Sequence, residues 1–275
     1  MQHSDLQSIA NQLRVDVLSL AGRCDFGVHL AGPLSSAECL AVLYFAGLLN
    51  HDFDSAKRDR VVLSCGHYAP ILYACFLRLG IITKEKFDSF GKMGGLAVHP
   101  ELVIGAQNVP GVEASTGPLA QGMSVAVGRA MAMKRSKNSG KIYCVCSDGE
   151  MQEGQAWEAV SLSVREGLDN LVWLIDNNNV QIEHYVTELS GKMPLVGKFE
   201  AFGCHTLEID GHDTAKIEKA IVLAKGVKGA PTAIILKTVG GKGVSFMENN
   251  PKWHDGRLSD EQFEKAMKGL LRVYV

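Results

Sequence analysis

The sequence predicts an α/β fold, a doubly wound and mainly parallel sheet with helices on both faces, formed as one domain over residues 1–275. Five short apolar runs, each fit for a buried parallel strand, alternate with segments of helical periodicity. Each run ends on glycine, histidine or an oxygen-bearing side chain, as the ligand-binding edge of such a sheet requires. The composition, 46% hydrophobic and 21% charged, is that of an ordinary globular chain.

The elements follow in order. From Asp5 to Leu20, apolar Leu6, Ile9, Leu13, Val17 and Leu20 recur at helical spacing. The loop CDFGVHLAGPLSS leads to Ser35 and, three residues on, Glu38, which reads as a capping box opening the helix ECLAVLYFAGLL. RVVLS (60–64) is a strand and APILYACFLRLG a helix, after which a glycine-rich, turn-rich stretch runs from Gly91 to Thr116. A helix from about Leu119 to Lys134 precedes the strand KIYCVC (141–146), the helix QAWEAVSLSVREG and the strand NLVWLID (170–176). HTLEID (205–210), a helix from Ala215 to Lys225 and PTAIILKTV (231–239) complete the series. With no internal repeat, low-complexity segment or linker, one domain is the economical reading.

Composition excludes several classes. Lys and Arg number 28 and Asp and Glu 30, a net charge of −2, so neither nucleic acid nor an anionic membrane surface is indicated as a partner. The seven cysteines, Cys24, Cys39, Cys65, Cys75, Cys144, Cys146 and Cys204, contain no CxxC pair and no zinc-ligand spacing. That pattern fits a reduced, cytoplasmic protein in which Cys serves as a small hydrophobe. MQHSDLQSIANQLR lacks the features of a signal peptide, and no apolar stretch reaches the roughly eighteen residues of a membrane span.

The strand ends carry the chemistry. RVVLS runs into Cys65-Gly66-His67, KIYCVC into Ser147-Asp148-Gly149-Glu150, and NLVWLI into Asp176-Asn177-Asn178-Asn179. HTLEI runs into Asp210-Gly211-His212-Asp213, and PTAIILKTV into Gly240-Gly241-Lys242-Gly243. Asp148 and Asn178 stand 30 residues apart, one βαβ step, and therefore face each other across neighbouring strand ends. A carboxylate, an amide oxygen and a backbone carbonyl make a hard, oxygen-only site of the kind Mg²⁺ takes with a phosphate and water. Gly149 admits the backbone to that phosphate, and the helix after Glu150 directs its N-terminus toward it. An Asp-Gly after a strand is also an ordinary turn, and Asn runs close loops; the pairing at one-unit spacing is what favours function.

CSDGEMQEGQAWEA followed by LIDNNNVQ resembles the thiamine-diphosphate motif, a GDG segment ending in Asn about thirty residues on. HLAGPLSSAE, SCGHYAPILYA, HPE (99–101), PGVEASTGPLAQG (110–122), IDGHD (209–213) and KGVSFMENNPKWH (242–254) resemble the transketolase N-terminal domain. They are most similar to the small separate N-terminal subunit of split transketolases, in order, over about Gly22 to His254. The resemblance implies transfer of a two-carbon ketol unit from a ketose or ketose phosphate to an aldose, with thiamine diphosphate and Mg²⁺. It implies that Asp148, Asn178 and the Val180 carbonyl hold the metal, that Gly149 and Glu150 line the diphosphate site, and that Gly117 and Leu119 touch the cofactor rings. His67 and His254 match family histidines near the diphosphate and reacting centre, and His29 and His99 those that contact substrate hydroxyls and assist proton transfer. Imidazoles, with a pKa near operating pH, suit that work. His3, His51 and His205 read as surface or loop residues, and His184 and His212 as undecided.

The domain that binds the aminopyrimidine in a full transketolase has no counterpart among the matched motifs. The resemblance therefore implies an α₂β₂ assembly with a separate C-terminal subunit, the lone chain being inactive. Other thiamine-diphosphate enzymes, a deoxyxylulose-phosphate synthase relative or a 2-oxoacid dehydrogenase E1 α-subunit, are the nearest alternatives. A non-catalytic subunit keeping the fold would be expected to lose Asp148 or Asn178, and a nicotinamide enzyme would show GxGxxG after its first strand. The chain departs from the family pattern at Ser147, Asn179, Val98, Gly27-Val28, Ala31, Pro33 and Glu183-His184. Those changes leave the metal ligands intact and alter the loops around His29 and His99, so the expected sugar differs from the usual pentose phosphate.

Overall fold

A computed structural model describes residues 3–53, 55–103, 108–191 and 194–271, with side chains from residue 5 onward. The chain opens with α1 (His3–Ala21), β1 (Val28–His29), α2 (Ala31–Ser35) and α3 (Ala37–Phe45). It continues through β2 (Arg60–Leu63), α4 (Ala69–Arg78), α5 (Lys84–Phe87), α6 (Gln121–Arg135), β3 (Ile142–Ser147), α7 (Gly154–Arg165) and β4 (Leu171–Asn177). A two-residue hairpin, β5 (Val180–Gln181) and β6 (His184–Tyr185), precedes α8 (Val186–Ser190) and α9 (Leu195–Phe202). Then come β7 (His205–Asp210), α10 (Thr214–Gly226), β8 (Thr232–Lys237), β9 (Asp255–Gly256) and α11 (Asp260–Leu271).

The five apolar runs form one sheet in the order β2-β3-β4-β8-β7, and every neighbouring pair is parallel. Its two faces separate by strand periodicity. Tyr143, Val145, Val172, Leu174, Ile234 and Leu236 pack with α1, α3, α4, α10 and α11. Ile142, Cys144, Cys146, Leu171, Trp173 and Ile175 pack with α6, α7 and α9. Helices therefore cover both faces, and buried Cys144 and Cys146 lie 3.7 Å apart (Sγ to Sγ) as core residues. All seven thiols are free.

Two local expectations are revised. The capping box at Ser35 and Glu38 does not form: α2 ends at Ser35, α3 starts at Ala37, and neither has a side-chain cap. Both side chains have stronger buried partners, Asp176 for Ser35 and Arg14 for Glu38. The helix expected from about Leu119 begins at Gln121, because Ala120 sits at φ 63°. The helix read from QAWEAVSLSVREG begins at Gly154, and a 3₁₀ turn, Gly149–Gln152, separates it from Asp148.

Candidate active site

The C-terminal ends of β2, β3 and β4 form one wall of a cavity of about 220 Å³. Its lining includes His29, His67, His99, His254, Gly117, Leu119, Gly149, Asn178 and Val180, drawn from segments more than two hundred residues apart. A short antiparallel ladder explains the longest closure. β1 pairs with β9, His29 opposite Asp255 and Val28 opposite Gly256, and the Leu30 N–H donates to the His254 carbonyl at 2.9 Å. His67 lies on the 3₁₀ turn Gly66–Tyr68 that ends β2. Gly66 is required there, since a Cβ would stand 2.5 Å from the Thr116 carbonyl oxygen. Thr116 in turn donates its N–H to Pro100 at 3.1 Å, fixing the segment of His99.

The four imidazoles form a cluster. The ring centre of His29 lies 5.0 Å from that of His67, 5.2 Å from His254 and 6.1 Å from His99, and His67 lies 5.5 Å from His254. Burial, then repulsion from His254 and His99 outweighing the pull of Asp255, lowers His29 to about 4. Burial, then the charges of His29, His254 and His99, hold His67 well below its ordinary value, and burial lowers His99 and His254 as well. The four rings are therefore neutral near pH 7, and each offers one N–H donor and one nitrogen acceptor.

Asp148, between the cavity-lining Ser147 and Gly149, is 1% exposed and borders a neighbouring cavity with Asn179, Lys237 and Thr238; one of its oxygens accepts the Asn179 N–H at 2.7 Å. Its other oxygen, Oδ1, is buried without a hydrogen-bond partner. Burial, reinforced by the charge of Asp176, pushes its carboxyl up to about 8. A buried carboxylate oxygen with no donor and no cation beside it is what a hard metal ion would satisfy. Asn178 adds an amide oxygen that accepts only the Val180 N–H, at 2.8 Å. Among the described residues no cluster of three His, Cys, Asp or Glu could hold a metal. The fit is instead to a cation held by one carboxylate, neutral oxygens and a phosphate.

Glu150 is placed otherwise than expected. Its carboxylate is fully buried away from the cavity, accepting Ser64 Oγ at 2.7 Å, the Ala120 N–H at 2.8 Å and the Ser147 N–H at 3.0 Å. It ties β2, α6 and β3 together, and a carboxylate facing a diphosphate would repel it. Among the altered positions, Ser147 ends β3 without positive φ, and Asn179 takes φ 61°, a conformation Asn tolerates. Val98 is exposed, and Ile182, beside the altered Glu183, is exposed and lines the cavity. Ala31 and Pro33 are buried in α2.

Sequence reasoning missed a buried polar layer beneath these residues. Asp176, 1% exposed, accepts hydrogen bonds from Ser35, Tyr68, Asn178 and Thr238. Glu38 takes Arg14 Nη2 at 2.5 Å, Gln7 Nε2 at 2.8 Å and His212 Nδ1 at 3.0 Å. Burial works to raise Glu38, but the Arg14 charge and the His212 hydrogen bond outweigh it and hold the group at about 2. Because His212 Nε2 accepts the Val239 N–H, its proton sits on Nδ1 and faces Glu38. His212 thus links α3 to the loop after β8. His184 and His205 are exposed, His51 is half-buried beside Phe53, and the side chain of His3 lies outside the described residues.

Residues 5–271 match the family model "Transketolase, thiamine diphosphate binding domain". The chain is 38% identical to the 6-deoxy-6-sulfo-D-fructose transketolase subunit SqwG of Clostridium sp. (strain MSTE9), over 98% of this chain and 97% of that one. It is 36% identical to one of the apulose-4-phosphate transketolase subunits of Phocaeicola vulgatus, over 96% and 92%. The crystal structure of transketolase from Campylobacter jejuni superposes with a TM-score of 0.86 and 36% identity, over 98% of this chain and 43% of that one. The chain thus spans less than half of the full-length transketolases it matches and nearly all of the transketolase subunits. Its sequence and its sheet converge on one conclusion: the chain belongs to the transketolase family and forms its thiamine-diphosphate-binding domain.

Proposed function

We propose that this chain is the N-terminal subunit of a split transketolase that moves a two-carbon ketol unit from a ketose donor to an aldose acceptor. Bound thiamine diphosphate supplies the nucleophilic carbon and the electron sink that cleavage of a C–C bond beside a ketone demands. Asp148, through its unpartnered Oδ1, the Asn178 amide oxygen and the Val180 carbonyl hold Mg²⁺, and Gly149 lets the chain approach the diphosphate. His67 and His254 face the reacting centre. His29 and His99 take a proton from a substrate hydroxyl as the bond breaks and return one as it forms. The four-histidine cluster beside an oxygen-ligand site carries this reading, because neutral imidazoles can donate or accept at sugar oxygens without fixing a charge there.

The aminopyrimidine half of the site belongs to a separate C-terminal subunit, in an α₂β₂ assembly, and the relatives named as transketolase subunits support that division. Among the described residues no lysine or arginine lines the cavity, so recognition of an anionic sugar tail falls to that partner. The altered loops around His29 and His99, with relatives named for sulfofructose and apulose 4-phosphate, favour a donor other than a common pentose phosphate. The free thiols favour a cytoplasmic setting, and no described helix is long and apolar enough to cross a membrane.

The test is a donor screen on the chain co-purified with a transketolase C-terminal subunit, with thiamine diphosphate and Mg²⁺. Ketose phosphates, a sulfo-ketose, apulose 4-phosphate and pyruvate are supplied with an aldose acceptor. Ketol transfer from a ketose is expected, with no turnover by the chain alone. Pyruvate as the preferred donor would replace this reading with a synthase-like one, and activity without a partner would end the split-enzyme model.

A further inference from the structure

We infer that Asp176 is a positioning residue: it dictates which end of the Asn178 amide faces the metal, and it joins that ligand to the segments carrying His67 and His29. The inference rests on the reading of Asn178 as a metal ligand and goes beyond it to a residue that touches neither metal nor substrate.

A primary amide is nearly symmetric in shape, so its oxygen and nitrogen can exchange places unless neighbours forbid it. Here the Asn178 Nδ2 lies 2.9 Å from Asp176 Oδ2, 3.1 Å from Ser35 Oγ and 3.2 Å from the Tyr68 hydroxyl. By themselves the two hydroxyls could pair with either end of the amide, since each can donate or accept; Asp176 takes their protons and leaves them only lone pairs for the NH₂. The carboxylate oxygen accepts only the NH₂ end. Asp176 therefore leaves Asn178 Oδ1 on the opposite side, held at 2.8 Å by the Val180 N–H with a lone pair to spare.

The same carboxylate oxygen organises the proton-transfer segments. Ser35, the last residue of α2, donates to it at 2.5 Å, and α2 follows His29 by one residue. Tyr68 donates to it at 2.7 Å, and the Tyr68 ring stands edge-on to the His67 ring at 4.8 Å. Gly32 of α2 packs so closely on that ring that a Cβ would stand 1.8 Å from it. Thr238, at the end of β8, donates to Oδ1, the oxygen turned away from Asn178. One buried side chain at the tip of a central strand thus sets the relation between the metal ligand, the His67 turn and the His29 segment. Outer groups of this kind typically govern metal affinity by 10–100-fold when removed.

The pattern of variants separates positioning from simple stability. Asp176→Leu removes the only unconditional acceptor. Asp176→Asn can keep an oxygen toward Asn178 and turn its NH₂ toward Thr238 Oγ1, so it rescues. Thr238→Val deletes a hydrogen bond to the same carboxylate on the side that does not touch Asn178. Mn²⁺, as the hard-cation probe, is titrated into the full chain with thiamine diphosphate present and followed by its paramagnetic resonance. Expected are a 10–100-fold loss of affinity in Asp176→Leu, a loss within about threefold in Asp176→Asn, and wild-type affinity in Thr238→Val despite lowered thermal stability. Asn178→Ala is the control: retained affinity there overturns the ligand reading, whereas its loss together with unchanged affinity in Asp176→Leu overturns this inference alone. In the metal-free chain the Asn178 side-chain NH₂ resonance should be protected from hydrogen exchange and lose that protection in Asp176→Leu. If the leucine variant does not fold, or Mn²⁺ does not bind the wild-type chain, the wild-type resonance decides, and a freely exchanging NH₂ overturns the inference.

Discussion

Replacing Asp148 by Asn should stabilise the ligand-free chain while removing its response to cofactor. The wild-type carboxylate is 1% exposed, has one oxygen without a partner, and shares its surroundings with a second buried carboxylate, Asp176. With its pKa pushed up to about 8, this group is mostly protonated in the fold at pH 7 but ionised in the unfolded chain, a difference that costs several kcal/mol. The amide keeps the shape, and its oxygen can still accept the Asn179 N–H, leaving an unsatisfied NH₂ that costs about 1–3 kcal/mol. The difference is a gain on the order of 2 kcal/mol, or a rise of about 4–6 °C in melting temperature for a chain of this size. With Mg²⁺ and thiamine diphosphate at about 100 times their dissociation constant, the wild type should gain about 2.7 kcal/mol and overtake the variant. Thermal melts of both proteins with and without the cofactor pair read this crossover. A variant that melts below wild type without ligand, or that gains as much from ligand, refutes the assignment of Asp148 as a cation ligand.

Three further outcomes are expected. His29 takes a proton near 6.5 when unfolded but only near about 4 when folded, so the unfolded state binds more protons between those values. Stability should therefore fall as pH drops from 6.5 to 4, by up to about 3 kcal/mol from this residue, and urea midpoints should show His29→Asn flattening that slope; an unchanged slope contradicts the neutral cluster. Glu38→Ala strands Arg14, 1% exposed, without its carboxylate, and should lower stability by about 3–5 kcal/mol in denaturant titrations, whereas a loss below about 1 kcal/mol would show the pair to be dispensable. Gly32→Ala drives a Cβ into a Tyr68 ring anchored by its hydroxyl to Asp176, so a loss of about 3 kcal/mol is expected, and a wild-type melting temperature would mean that the ring can retreat.

The sheet was legible because its signals are local. Each strand is a run such as KIYCVC or NLVWLI whose period and breakers lie within a few residues, and the Asp148–Asn178 spacing follows from one βαβ repeat. The histidines of the site were legible only through motif resemblance, since nothing in composition says that His29 and His254 adjoin. The polar layer beneath them was not legible. Asp176 meets Ser35 across 141 positions and Tyr68 across 108, and Glu38 meets His212 across 174. The capping-box reading failed for the same reason: Ser35 and Glu38 have the right spacing for a local bond, but buried charges elsewhere in the chain outcompete it. Glu150 likewise follows the glycine of the motif, yet three donors from three elements turn it into the core.

The two-residue ladder between β1 and β9 has a consequence for biosynthesis. The parallel sheet needs nothing beyond Lys237, so a chain emerging from the ribosome can assemble its strands, the α6, α7 and α9 layer and most of the other layer before β9 and α11 appear. His29 acquires its neighbour His254 and its ladder partner Asp255 only when residues 254–256 have been added. The candidate site is thus completed after the sheet, on a scaffold whose strands are already paired. A nascent or truncated chain would carry a sound sheet and an incomplete site, and no proofreading step that senses the sheet alone could tell the two apart.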